Sequence, residues 1–171
     1  MEHHREIVFE IERALTAGPR LIHIITGPRQ VGKTTAAEQI LERLDWPGIF
    51  ESADFAPPPG PEWIETQWAR ARALEGPSAL LVLDEVQKVR GWSETVKRLW
   101  DEELRNKSSG LRVLLLGSSA LQLHAGTSES LAGRFFLHRC MHWGYAECAA
   151  AFGWNLGQWL YFGGYPGAAA F

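Results

Sequence analysis

The chain has 171 residues, 46% of them hydrophobic, and a net charge of −3; that length suits one domain with a sizeable core, and the balance of charge excludes a globally basic nucleic-acid binder. Two cysteines, Cys140 and Cys148, provide no disulfide framework and suit a reducing compartment. No apolar run approaches a membrane-spanning length, and the charged N-terminus lacks a signal-peptide core, so the reading is a soluble, cytoplasmic chain with no membrane partner.

In chain order, residues 5–17 read as an amphipathic helix. Ile7, Val8, Ile11, Ala14 and Leu15 recur at helical spacing, with Glu6, Glu10, Glu12 and Arg13 between them. Gly18-Pro19 stops it. The apolar run Leu21–Ile25 reads as a buried strand. Gly27-Pro28-Arg29-Gln30-Val31-Gly32-Lys33-Thr34-Thr35 follows and fits G-x-x-x-x-G-K-[ST] at every fixed position. A helix is expected from Thr34 to about Leu44, ended by Asp45-Trp46-Pro47-Gly48, and Ile49–Glu51 can form a short second strand. Pro57-Pro58-Pro59-Gly60-Pro61 admits neither helix nor inner strand and reads as a stiff surface loop, either a plain connection or a lid. Helix resumes over 62–74. Ala79–Leu83 is a buried strand running into Asp84-Glu85. A helix over 92–107 and a strand over Leu111–Leu116 follow, the latter ending at Gly117-Ser118-Ser119. Phe135–Cys140 is a candidate last strand, and helical potential returns around 144–152 and 156–162. The eight tryptophans suit packing surfaces or an interface. Strands alternating with helices argue for a parallel sheet with helices on both faces.

Strand, glycine-rich loop and helix together are what phosphate binding needs. Glycines let the backbone approach an anion, and the loop N–H groups with the helix N-terminus present partial positive charge. Lys33 would reach the β- and γ-phosphates of a nucleotide, and the Thr34 hydroxyl would complete a Mg²⁺ shell. An apolar strand ending in Asp-Glu is the second half of such a site: Asp84 would hold the metal and Glu85 would activate water. Ser118, or less favoured Ser119, stands where a hydroxyl could touch the γ-phosphate or the water; a helix N-cap is the alternative. His138, Cys140 and His142 share one face of a strand, but their spacing with Cys148 matches no common zinc module, so the reading is a strand edge with two partly exposed histidines.

Taken in series, Gly27–Thr35, Asp84-Glu85-Val86-Gln87-Lys88, Gly91-Trp92, Leu116–Ala120, Ser130-Leu131-Ala132-Gly133-Arg134 and Gly163-Gly164-Tyr165-Pro166 resemble AAA-type P-loop ATPases of the additional-strand, catalytic-glutamate class. Within that class they resemble a widespread bacterial and archaeal family whose ATPase domain precedes a C-terminal domain. The resemblance implies an α/β three-layer P-loop NTPase sandwich that binds ATP and Mg²⁺. It makes Arg134 a candidate arginine finger, acting in cis or, in a homo-oligomer, across a subunit interface. The domain reading is an N-terminal helix over 1–19, an ATPase core over 20–142, and a helical segment over 143–171 that, by the resemblance, starts a truncated lid or second domain. Adenine over guanine rests on the resemblance. The segment Met141–Glu147 departs from the family, since only Tyr145 and Glu147 keep its character there.

Three functions compete. The first is an ATP-hydrolysing switch or motor acting on a protein or DNA partner that no motif identifies. The second is a nucleotide-binding regulatory module with negligible turnover. The third is a small-molecule phosphotransferase, which would want an arginine-rich lid where residues 57–61 hold only proline and glycine.

Overall fold

A computed structural model describes residues 3–106, 109–118 and 131–170. Its elements are α1 (Glu6–Ala17), β1 (Ile22–Thr26), α2 (Lys33–Leu44), β2 (Gly48–Ser52), α3 (Pro61–Arg72), β3 (Ala79–Asp84), α4 (Trp92–Arg105), β4 (Leu111–Gly117), β5 (Phe135–Arg139), α5 (Tyr145–Phe152) and α6 (Leu156–Phe162). The strands form one parallel sheet in the order β2-β3-β4-β1-β5. The expected elements are all present, with ends shifted by one or two residues. β1 begins and ends one residue later, and α3 and α4 each stop two residues early.

Successive strand side chains point to opposite faces, which makes three layers. Ile22, Ile24, Leu81, Leu83, Val113 and Leu115 pack against α3 and α4, where Trp68 and Trp100 are fully buried. Ile25, Leu80, Val82, Leu114 and Leu116 pack against α1 and α2 through Val8, Ile11, Leu15, Ala36, Ala37 and Ile40. β1, β3 and β4 are covered on both faces, which is why they are mostly apolar, broken by His23 and Thr26 in β1 and Arg112 in β4. α1 shares one core with α2, so residues 6–17 pack as part of the sandwich. α5 and α6 close a third, aromatic cluster around Trp143, Cys148 and Trp154, off the sheet. All eight tryptophans are buried or half-buried.

The helix breakers act where the sequence places them. The Gly18 N–H bonds back to the Ala14 carbonyl at 3.1 Å as α1 ends, and Pro61 occupies the first turn of α3, where its missing N–H costs nothing. Glu103 on α4 is 1% exposed and accepts from Trp68 Nε1 at 3.0 Å, Ser109 Oγ at 2.5 Å and the Arg72 guanidinium. Burial pushes its carboxyl up, but these three donors outweigh that and leave it below its ordinary value.

One histidine expectation is corrected. His138 is 6% exposed, and its Nε2 lies 2.9 Å from Nδ1 of His23 on the neighbouring strand, with the rings stacked. His142 is exposed and meets the Tyr165 ring edge-on. Among the described residues no three His, Cys, Asp or Glu side chains gather as a metal cluster. Two desolvated imidazoles cannot both charge at close range. Burial, with Arg112 acting on His23 and His23 acting on His138, lowers both from 6.5 to about 4.

A lowered imidazole value means that the folded state resists protonation. Stability is then full above pH 6.5 and declines as pH falls from 6.5 toward about 4. The expected loss is a few kcal/mol in all, at about 1.4 kcal/mol per unit. Urea unfolding at pH 7 and pH 5 measures it. His138→Gln keeps a partner for His23 and flattens part of the slope; an unchanged slope would show that the pair does not titrate this way.

Candidate functional site

The loop between β1 and α2 is shaped by two glycines for two reasons. At Gly27 a Cβ would lie 1.9 Å from the Cys140 carbonyl oxygen, so only glycine lets the loop pass the end of β5. Gly32 has φ +89° with open space around it, a left-handed conformation that precedes the first turn of α2. Gln30 also sits at positive φ, 62°, which is uncommon outside glycine. Arg29, Gln30, Thr34 and Thr35 are exposed, whereas Val31 is fully buried and anchors the loop in the core.

Lys33 is 7% exposed, and its ammonium donates to the carbonyls of Gly27 at 3.0 Å and Pro28 at 2.5 Å. Burial lowers its pKa, helped by the charge of Arg29 and opposed by the carboxylates of Glu85 and Asp84. The Thr34 hydroxyl donates to Asp84 Oδ2 at 3.0 Å, and the Glu85 N–H donates to Asp84 Oδ1 at 2.8 Å. Burial raises the Asp84 carboxyl above its ordinary value despite those two donors. Glu85 itself has φ +52°, ψ +33°, a strained conformation for a residue with a side chain. Its Oε2 accepts from Ser118 Oγ at 3.1 Å and from Gln87 Nε2 at 2.5 Å.

Arg29, Gln30, Gly32, Lys33, Thr34, Asp84, Glu85 and Ser118 thus line one groove of about 490 Å³, together with Asp54 and Lys88. The loop residues come from the end of β1, Asp84 and Glu85 from the end of β3, and Ser118 from the end of β4. A hydroxyl beside a carboxylate is a hard-oxygen pair of the kind that suits Mg²⁺. Beside the groove, and sharing Gly32 with it, lies a mostly apolar cavity of about 270 Å³ lined by His3, Arg5, Thr35, Ala36, Gln39, Trp143, Phe152 and Pro166.

Two candidates are not brought there. Arg134 precedes β5 at the opposite end of the sheet, where its carbonyl accepts from the Ile22 N–H at 2.9 Å. The five residues of β1 separate it from the loop, roughly 16 Å of strand. Its guanidinium forms a fork on Asp101, Nε–Oδ1 2.7 Å and Nη2–Oδ2 3.2 Å. Ser119 lies outside the described residues.

Sequence reading missed four residues. Lys88 and Asp54 form an ion pair on the groove wall, and Gln87 holds Glu85. Arg5, at the start of α1, donates to the Val31 carbonyl inside the phosphate loop at 3.1 Å. Gln87 and Lys88 follow the Asp-Glu pair directly, so their nearness was available as a signal. Asp54 and Arg5 carry none.

A family model described as an AAA domain matches residues 19–148. Uncharacterized proteins of Mycobacterium tuberculosis and Mycobacterium bovis are each 34% identical to this chain over 135 residues, covering 76% of it. The chain spans about a quarter of their length, 26%. Among solved structures, the Walker-type ATPase of Pyrococcus abyssi superposes with a TM-score of 0.72 at 15% identity, covering 99% of this chain and 65% of that one. The RuvB Holliday junction branch migration motor of Thermotoga maritima gives 0.58 at 18% identity, covering 86% and 47%. The Aeropyrum pernix ORC1 protein, solved in complex with DNA, gives 0.63 at 15%, covering 90% and 49%. At such identities these structures share the fold.

The raised Asp84 carboxyl has a consequence for stability. Burial works against the charged form of this carboxyl, so the folded state bears a desolvation cost at Asp84. Asp84→Asn removes that charge; its Oδ1 can still accept from the Glu85 N–H, while its Nδ2 donates to Thr34 Oγ1 with the direction of that bond reversed. Its thermal midpoint without nucleotide at pH 7 is expected to rise by a few degrees; a fall would mean that the carboxylate stabilises the fold.

Proposed function

This chain belongs to the AAA domain family, and we propose that it binds ATP with Mg²⁺ in the groove over the phosphate loop and hydrolyses it. The observation that carries this reading is the assembly of Lys33, Thr34, Asp84, Glu85 and Ser118, from three strand ends, on the wall of one groove. In this reading the N–H groups of residues 29–35 cradle the phosphates and Lys33 turns from the loop carbonyls to the β- and γ-oxygens. Thr34 and Asp84 would hold Mg²⁺, which when bound neutralises charge on the phosphates. Glu85 takes the proton of the attacking water, and Ser118 releases Glu85 to contact the γ-phosphate. The base occupies the apolar cavity against Trp143 and Phe152, a fit supported by the shared Gly32 wall.

Arg134 contributes to this chemistry only from a neighbouring copy, because in its own chain it stands at the far end of the sheet on Asp101. That placement favours a second reading for the isolated chain, a nucleotide-binding module whose turnover is negligible until copies associate.

Phosphate release from ATP with Mg²⁺ tests the proposal, measured beside nucleotide binding and repeated with the metal chelated. Glu85→Gln is expected to bind ATP like the parent and to lose turnover by about a hundred- to ten-thousandfold, the usual worth of a general base. Lys33→Ala is expected to lose binding. Turnover by Glu85→Gln at the parental rate would remove Glu85 from its role. Binding without turnover by the parent at every protein concentration would leave the binding module.

A further inference from the structure

Arg5 is in the wrong place to serve α1. It is the N-cap residue, with φ −73° and ψ 152°, and its side chain makes no cap hydrogen bond. Cap positions favour small oxygen-bearing side chains, and a cation opposes the positive end of the helix dipole. The side chain instead turns inward, to 10% exposure, and its planar fork is fully engaged. Nη1 donates to the Val31 carbonyl, the Met141 carbonyl and Cys140 Sγ, each at 3.1 Å. Nε and Nη2 donate to Oε1 and Oε2 of Glu147 at 2.9 and 3.2 Å. The guanidinium also lies 4.9 Å over the Trp143 ring. One buried cation therefore joins the phosphate loop, the segment after β5 and the first turn of α5.

The contact with the loop is specific to one peptide. The Val31 carbonyl accepts from Arg5 and also from Trp143 Nε1 at 3.0 Å. In a planar trans peptide the C=O and the next N–H point in opposite directions. Holding the Val31 carbonyl on the Arg5 side therefore fixes the Gly32 N–H toward the other side. Gly32 itself has a positive φ and no Cβ, and its own carbonyl is held on the α2 side by the Ala36 N–H at 2.9 Å, so the Val31 carbonyl is the handle on its N–H side. At the other end of the fork, Glu147 Oε2 also accepts from the Gly144 N–H at 3.0 Å, closing the N-terminus of α5. A movement of the Val31–Gly32 peptide would thus be felt by the cap of α5 through two charged hydrogen bonds.

We infer that Arg5 is a positioning residue for the phosphate loop, and that through Glu147 it couples the loop to α5 and α6. The inference rests on the reading of residues 27–35 as the nucleotide loop. It makes the C-terminal helices a nucleotide-responsive element, moved or held according to what the loop binds.

Amide hydrogen exchange on the full chain tests it, with Arg5→Met, Arg5→Lys and Glu147→Gln beside the parent, first without nucleotide. In Arg5→Met, exchange over residues 29–33 and 145–149 is expected to quicken by about tenfold or more, as for loss of charged hydrogen bonds. The α3–α4 core is expected to exchange as in the parent, which a merely structural role would not leave unchanged. Arg5→Lys, with charge but no fork, falls between. A non-hydrolysable ATP analogue with Mg²⁺ then slows exchange in α5 of the parent but not of Arg5→Met. Parental exchange over 29–33 in a folded Arg5→Met overturns the inference. If that variant does not fold, Arg5→Lys and Glu147→Gln decide by the same readout. A parent that binds no analogue, with Arg5 still protecting the loop, sinks the nucleotide reading and the coupling to it while leaving Arg5's hold on the loop.

Discussion

The parallel pairing of β4 with β1 on one side and β3 on the other is the constraint from which the site follows. It brings the C-terminal ends of three strands to one edge, although Thr26, Asp84 and Gly117 are far apart in the chain. Parallel strands require crossovers, and the crossovers separate by face. The helix after β1 covers the α1 side, and those after β2 and β3 cover the other. A crevice opens at the strand ends where the chain switches sides, which is where ligands lie in open α/β sheets. The groove is built from the register of three strands, two glycines, and the positive φ of Gln30 and Glu85.

That register gathers groups that a stable fold would rather keep in water. Lys33 and Asp84 are both largely buried, and both have pKa values shifted toward the neutral form by burial. Glu85 adds a left-handed backbone without being glycine. Nothing in the packing of the sheet requires these features, since the cores on both faces close without them. At this strand edge the positive φ of Gln30 and Glu85 and the desolvation of Lys33 and Asp84 come together, and each costs stability. The His23–His138 pair shows the contrast. It is also desolvated, but its two rings face each other, with Arg112 near His23, and neither lines the groove of Lys33 and Asp84.

How far this was legible in the sequence depends on the range of each signal. β1, β3 and β4 announced themselves because a strand buried on both faces must be mostly apolar, and the phosphate loop because its glycines and lysine are local. Asp84 and Glu85 gained meaning only from the loop, and their approach to Thr34 became visible once the sheet order was known. Arg134 was legible as an arginine near a strand start but not as the partner of Asp101, on a different element, whose charge reads like any other on a mixed helix face. Arg5 was invisible for the same reason. A charged residue before a helix looks like a solvated terminus, and its burial depends on Val31, Met141 and Glu147, none of which is near it in sequence. Nor did the spacing of His138 and Cys140 reveal that His23, two strand positions before Ile25, would supply the real neighbour.

The C-terminal helices illustrate how attachment differs from packing. α5 and α6 hold together through Trp143, Phe152, Trp154, Trp159 and Phe162, a cluster apart from both faces of the sheet. Their polar ties to the sandwich include Trp143 Nε1 on Val31 and Glu147 on Arg5, beside the Trp143 ring against His3 and under the Arg5 guanidinium. On the outer side of α6, Leu156, Leu160 and Tyr161 are 53, 69 and 84% exposed. A segment fastened by a broad apolar face would be insensitive to one peptide of a loop, because no single contact dominates its position. A segment held at the loop by a tryptophan N–H and one ion pair answers to the loop's shape, since directional bonds weaken steeply with misalignment. The aromatic cluster joins α5 to α6, and the Arg5 node joins that pair to the loop.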